Sequence, residues 1–130
     1  MKIVAQYTTE DAVNDGNLIP VSSLGEDVAK LVGDVGIKVP VYLSREVYSA
    51  VATRGADIPG RIWDLLWLYR VYSLGGMYIF DRESGELVLR EDHPQPDRIT
   101  PYTVRIGRKN HKIWGVVEGA SVILMHPEEY

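Results

Sequence analysis

The chain has 130 residues, close to the commonest size of a folded domain, so we expect one domain spanning 1–130. A chain of this length buries about two-thirds of the surface that its unfolded form exposes. Hydrophobic residues (45%) and charged residues (25%) stand in ordinary proportion for a globular protein, which argues against a disordered chain.

The chain contains no cysteine, which excludes disulfides, thiolate catalysis and cysteine-ligated zinc or iron–sulfur centres. The N-terminal stretch MKIVAQYTTEDAV has no apolar signal-peptide core, and no run approaches the ~20 apolar residues that span a bilayer. We therefore expect a cytoplasmic protein that does not enter a membrane.

Helical spacing of apolar residues characterises the first part of the chain. TTEDAVNDG (8–16) predicts a short helix. Ser23 and Glu26 fit a capping box for a second helix that Gly36 ends. The apolar stripe of that second helix consists of Leu24, Val28, Leu31, Val32 and Val35.

Two short pieces interrupt this pattern. LIPV (18–21) and KVPVYL (38–43) are predicted to be extended, since a residue before proline avoids the helical conformation. Ser44 is the expected N-cap of a third helix, REVYSAVA (45–52).

Apolar and polar residues alternate in the last part of the chain, which predicts strands. Tyr102, Val104 and Ile106 are expected on the buried face of their strand. The expected turns are RESG (with Gly85), RKNH and GA, and DHPQPD (92–97) is a polar connection. The strand segments are MYIFD, ELVLR, YTVRIG, KIWGVVE and SVILM.

Helices followed by strands predict an α+β fold. The helical half comprises about 1–75 and the strand half about 76–127. We expect the N-terminal helices to pack on one face of a C-terminal four- or five-stranded antiparallel sheet, arranged as a meander.

GRIWDLLWLYR (60–70) predicts a central helix with apolar side chains in nearly every direction, which is typical of a buried helix. Trp63, Trp67 and Arg70 share one sector of this helix. Tryptophan and arginine dominate interface hot spots, so this sector is the candidate interaction surface. The alternative is that the arginine beside the tryptophan rings forms a structural cation–π contact or ion pair.

Asp64 is the one carboxylate in this segment. A carboxylate inside an apolar helix needs a cation or an amide as its partner. Arg61, three residues earlier, is the local candidate, and we expect a buried ion pair.

The histidines His93, His111 and His126 form no HExxH or HxH motif, and they are predicted to be surface or turn residues. We accordingly expect no metal and no cofactor, and the HPEEY end is expected to be an exposed tail. His93, in the polar stretch REDHPQPD, is the candidate for a compact hydrolase that would use nearby carboxylates.

A basic segment stands out against the net charge of −4. Residues 98–112 contain five cationic residues and no acidic one. At a hairpin tip they could contact phosphates, although cations also protect a sheet edge from pairing. The candidates for nucleic-acid or nucleotide phosphate are Arg105, Arg108, Lys109 and Lys112.

Four stretches together resemble a family of small uncharacterised proteins found mainly on phages, plasmids and integrated mobile elements. They are AQYTTEDAVNDGNLIPVS, KVPVYLSREVYSAV, GRIWDLLWLYR and VILMHPEEY. Leu43-Ser44 and His126 depart from the family pattern. The residues at matching places are Asp15, Gly16, Leu18, Pro40, Val41, Gly60, Arg61, Trp63, Asp64, Trp67, Met125 and Pro127.

The resemblance implies an accessory protein of a mobile element acting inside a bacterial or archaeal host, with no assigned activity. We expect a non-enzymatic binding module that contacts an unknown protein partner, as an inhibitor or modulator of host machinery, or associates with itself. The alternatives are a small nucleic-acid or nucleotide binder using 98–112 and the hydrolase that would use His93.

Overall fold

The computed structural model describes residues 9–81, 83, 86–89 and 99–130. Its helices are α1 (Thr9–Asn14), α2 (Glu26–Asp34), α3 (Arg45–Val51) and α4 (Ile58–Met77). Its strands are β1 (Leu18–Pro20), β2 (Val41–Ser44), β3 (Tyr78–Asp81), β4 (Glu86–Leu89), β5 (Ile99–Ile106), β6 (Lys109–Glu118) and β7 (Ser121–Met125). Two 3₁₀ turns lie at Val21–Ser23 and Pro127–Glu129.

Five strands form one mixed sheet in the order β1–β2–β7–β6–β5. β2 runs parallel to β7, with Val41 opposite Val122, and the other neighbouring strands are antiparallel. The α+β class is confirmed, but the predicted purely antiparallel meander is wrong. The edge of β7 that β6 leaves open accepts β2, and this pairing brings the two extended pieces of the N-terminal half into the sheet.

The strands β3 and β4 pair only with each other among the described residues and form a separate two-stranded sheet. The alternating pattern correctly predicts both strands, but it does not reveal which sheet they join. α4 also reaches Met77, so the predicted boundary between the helical half (about 1–75) and the strand half (about 76–127) falls in the last turn of this helix.

The main core lies between one face of the sheet and the helices α2, α3 and α4. As predicted, Tyr102, Val104 and Ile106 are buried on this face. A second cluster joins Ala12 of α1 to alternate residues of the strands, on the opposite face. The prediction that all helices cover one face is therefore wrong for α1. The second cluster comprises Ala12, Leu18, Val116, Ile123 and Met125.

The helix boundaries follow from local capping chemistry. Ser44 is the N-cap of α3, as predicted, and its Oγ accepts a hydrogen bond from the Val47 amide at 3.2 Å. Asp57 caps the first turn of α4 in the same way, since its Oδ1 accepts from the Gly60 amide at 3.1 Å.

The capping box predicted at Ser23 and Glu26 is wrong. α2 begins after Gly25, which has a positive φ of 105°, and no side chain caps it. The Ser23 hydroxyl instead donates to the Pro20 carbonyl at 2.7 Å, which closes the preceding 3₁₀ turn. Gly36 ends the helix region as predicted, with a φ of 89°.

Several predictions lie outside the described residues, namely the conformation of Gly85, the connection at 92–97 and His93. The turn predicted at RKNH is shorter than expected, because β6 already begins at Lys109 and Gly107 takes the positive φ of 65°. Across the described ranges, no helix combines the length and the apolar character needed to cross a bilayer.

Gly115 of β6 lies beneath the ring of Tyr69 from α4, and a β-carbon at residue 115 would overlap that ring. We expect Gly115→Ala to lower the free energy of unfolding by about 1–3 kcal/mol, since a packed core resists added volume. Gly33→Ala in α2 is the matched control, because nothing lies within 4 Å of its new β-carbon. Helix propensity should raise the stability of that variant by up to about 1 kcal/mol. Urea unfolding measures the free energy of unfolding of both variants. Equal values for the two would contradict the close contact between α4 and β6.

Candidate functional site

The central helix α4 has a buried side and an exposed side. Ile62, Leu65, Leu66 and Tyr69 follow i, i+3, i+4, i+7 spacing and are buried against the sheet. The Tyr102 hydroxyl of β5 donates to the Leu65 carbonyl at 2.9 Å, so its polar atom is satisfied inside the core. The prediction of a helix buried all round is wrong, because the sheet covers only one side of α4.

The opposite side of α4 carries an apolar surface stripe of Trp63, Trp67 and Val71, spaced by one helical turn. These side chains are 36%, 44% and 40% exposed, respectively. The two indole rings stack, with centroids 6.2 Å apart and planes within 4° of parallel. We call these three residues the aromatic stripe. Tyr72 is also exposed, but its ring stacks on Tyr102 beside the sheet.

Arg70 is directed away from the aromatic stripe. Its guanidinium packs over Gly36, so that a β-carbon at residue 36 would lie 2.9 Å from Nε. Gly36 follows the C-terminal end of α2, where the helix dipole favours a cation. Trp63, Trp67 and Arg70 were predicted to share one sector of the helix. The structure brings Trp63 and Trp67 together on the surface, but it directs Arg70 to α2.

Arg61 and Asp64 do not form the predicted buried pair. Asp64 is exposed beside the stripe. Arg61 Nη1 instead donates to the Ala50 carbonyl at 3.0 Å and to Thr53 Oγ1 at 2.7 Å, at the C-terminal end of α3. The guanidinium also packs over Gly107, and it thus links α4 to α3 and to the β5–β6 turn.

The basic candidates are all exposed around the β5–β6 hairpin. Arg105 lies opposite Asn110, and Lys112 lies opposite Thr103, so both cations project from the outer face of the hairpin. Lys109 lies opposite the buried Ile106 and begins on the other face. The structure therefore gathers the four cations at one end of the hairpin but divides them between two faces.

The structure also assembles a cluster that the sequence did not predict. His126 follows β7, and its Nε2 lies 3.0 Å from Nδ1 of His111 on β6. Its Nδ1 faces Glu129 Oε2 at 3.4 Å and Glu46 Oε2 at 3.8 Å. We call His111, His126, Glu46, Glu128 and Glu129 the His126 cluster.

The C-terminal end of the chain is not the exposed tail that HPEEY predicted. Glu129 Oε2 accepts from the His126 amide at 2.6 Å and from Ser44 Oγ at 2.7 Å. Tyr130 packs edge-on against Trp114, with centroids 5.7 Å apart. Because Ser44 is the N-cap of α3, these contacts tie the C-terminal 3₁₀ turn to the start of that helix.

His126 contradicts the prediction of surface or turn histidines, because its side chain is only 13% exposed, whereas His111 on β6 is partly exposed. Burial lowers the pKa of His111 below its usual value, and the neighbouring His126 and Lys109 act in the same direction. No local motif could have revealed this cluster, since its members come from α3, β6 and the C-terminal turn.

Comparison with known protein families, with curated proteins and with solved structures yields no match for this chain. The resemblance to the mobile-element family therefore stays a prediction.

The lowered pKa of His111 leads to a pH-dependent stability. At pH values below 6.5, the usual pKa of histidine, residue 111 takes up a proton more readily in the unfolded chain than in the folded protein. The free energy of unfolding should therefore decrease as the pH is lowered through this range. NMR titration should give His111 a midpoint below 6.5. When the pH is lowered from about 7.5 to about 5.5, the free energy of unfolding should decrease less for the His111→Gln variant than for the unsubstituted protein. A midpoint at or above the usual value would contradict burial as the cause of the lowered pKa.

Proposed function

We propose that this chain is a non-enzymatic binding module that contacts a partner protein through the aromatic stripe. The observation that carries the proposal is the exposure of two stacked tryptophans on a helix whose other side is anchored in the core. A rigid aromatic surface binds at little entropic cost, and tryptophan is among the residues that dominate interface energies.

The size of the effect can be estimated from area. At 36% and 44% exposure, the two indole side chains present roughly 200 Å² to water, since a tryptophan side chain has up to about 250 Å² to bury. Covering that area contributes about 5 kcal/mol before the costs of association are subtracted. Those costs are about 4–15 kcal/mol, so the stripe supplies the centre of an interface and needs contacts around it.

Asp64 and Val71 indicate what would surround that centre. Val71 extends the apolar surface by one turn, and the exposed Asp64 carboxylate lies on the same side of α4. An apolar segment of a partner that carries a cationic side chain would complement both. The resemblance to mobile-element proteins supports a partner in a bacterial or archaeal host, where binding would inhibit or modulate that partner.

A photo-crosslinking residue at position 71 tests this proposal in bacterial cells. It should form a specific adduct with one partner, whereas the same residue at position 30, on the exposed surface of α2, should not. With the identified partner purified, Trp63→Ser and Trp67→Ser together should weaken binding at least about tenfold. Far-ultraviolet circular dichroism verifies that the variant is folded.

Two results would contradict the proposed surface. One is equal crosslinking from positions 71 and 30, and the other is unchanged affinity in the folded double variant. Adducts between two copies of the chain, also seen in the purified protein, would make a second copy the partner.

The basic hairpin favours a second candidate function, the binding of nucleic-acid or nucleotide phosphate. Its supporting observation is that Arg105 and Lys112 project from one face, next to Arg108 at the tip. The exposed outer positions of an edge strand are accessible to a phosphate backbone. The hydrolase that would use His93 stays a prediction, because that residue lies outside the described ranges.

Fluorescence anisotropy with labelled single- and double-stranded oligonucleotides tests the hairpin. If Arg105, Arg108 and Lys112 contact phosphates, affinity should fall about fortyfold between about 50 mM and about 200 mM salt. Arg108→Glu with Lys109→Glu should abolish binding, and the charge-preserving pair Arg108→Lys with Lys109→Arg should retain it. Binding that does not depend on salt would remove this candidate.

A further inference from the structure

His126 holds a buried ring nitrogen without a hydrogen bond. Among the described residues, Nδ1 of His126 is the one buried side-chain nitrogen or oxygen atom that has no hydrogen-bond partner. The Glu129 amide faces the His126 ring in a capping-box arrangement, but its hydrogen bond goes to the His126 carbonyl at 3.0 Å. A buried polar atom without a hydrogen bond destabilises the fold.

Those surroundings are negatively charged. Glu46, His126 and Glu128 each direct one ligand-type atom into the same space, and these atoms lie within 4.8 Å of one another. Glu129 adds its carboxylate at 3.4 Å from Nδ1. A bare lone pair on Nδ1 would be repelled by these carboxylates, whereas a proton or a metal cation at this point would be attracted by them.

The second ring nitrogen is compatible with a cation at Nδ1. When Nδ1 binds a cation through its lone pair, the ring proton resides on Nε2. Nε2 then donates to His111 Nδ1 at 3.0 Å. A hydrogen bond from the other ring nitrogen is what normally orients a metal-binding histidine.

We propose that His126 Nδ1, Glu46 and Glu128 bind a divalent transition-metal ion of the zinc class. An imidazole nitrogen with two carboxylate oxygens suits zinc and its neighbours, whereas magnesium and calcium prefer oxygen ligands alone. Three protein ligands leave a tetrahedral ion one position for an exchangeable ligand. The site is independent of the aromatic stripe, because none of its residues lies on α4.

Binding requires the three ligand atoms, now within 4.8 Å of one another, to move closer together. Ligand atoms about 2.0–2.1 Å from a tetrahedral ion lie about 3.3 Å from one another. Glu46 Oε2 lies 3.8 Å from Nδ1, and the Glu46 side chain is 66% exposed, so it can move inward without disturbing the core. Glu129 is held by the His126 amide and Ser44 Oγ, and it orients the turn rather than binding the ion.

Titration calorimetry on the metal-stripped full chain tests the site, with zinc chloride alone as the probe. We expect saturable binding at this site and a rise in the unfolding temperature, with no such binding of magnesium or calcium. Glu46→Gln and Glu128→Gln should each weaken zinc binding at least about tenfold. Glu118→Gln is the matched control, since it removes the same charge at an exposed position at the other end of β6, and its affinity should stay unchanged.

Nitrogen-15 NMR of the imidazole rings identifies the ligand atom. Zinc should shift the His126 Nδ1 resonance and leave Nε2 protonated. Absence of saturable zinc binding would overturn the proposal. So would equal affinities of the Glu46→Gln and Glu118→Gln variants, or a zinc-induced shift confined to another histidine.

Discussion

The arrangement of this molecule depends on the close approach of α4 to the sheet. Tyr69 lies directly over Gly115, where the absence of a β-carbon leaves room for its ring. Tyr102 reaches from β5 to the Leu65 carbonyl and holds the helix at this distance. With one side of α4 committed to the core, helical geometry leaves Trp63 and Trp67 pointing outward. The surface proposed for binding is therefore a consequence of how the helix packs.

A second constraint is the parallel pairing of β2 with β7. It inserts the N-terminal half of the chain beside the C-terminal strand, and it places the start of α3 next to the C-terminal turn. Ser44 then serves both segments, since its hydroxyl caps α3 and donates to Glu129. The His126 cluster exists because this pairing brings Glu46 within 3.8 Å of His126, which is distant from it in the chain.

The two proposed sites thus belong to different parts of the fold. The aromatic stripe is a rigid helix surface suited to a macromolecule, and the His126 cluster is a group of converging nitrogen and carboxylate ligands suited to an ion. Since their residues do not overlap, a substitution in one leaves the ligands of the other in place. The arginines Arg61 and Arg70 join α4 to the rest of the structure and contribute to neither site.

The local elements of this protein follow from its sequence alone, because their causes are local. Ser44 caps the helix that follows it, Gly36 ends the preceding helix region, and alternation along YTVRIG places Tyr102, Val104 and Ile106 on the buried face. The run SVILM is nearly all apolar, which is typical of a strand that is covered on both faces, and all five residues of this strand are buried.

Which of these elements meet is a property of the tertiary structure. Parallel pairing leaves no turn signal, so β2 reads as an isolated extended piece until β7 is found beside it. A helical-wheel projection of α4 places apolar residues in nearly every direction. Only the position of the sheet decides which of these side chains are buried and which are exposed. His111 and His126 lie on different elements, and no spacing in the chain predicts that their rings are adjacent. Contacts between distant segments depend on the summed packing of the whole chain, which no local pattern records.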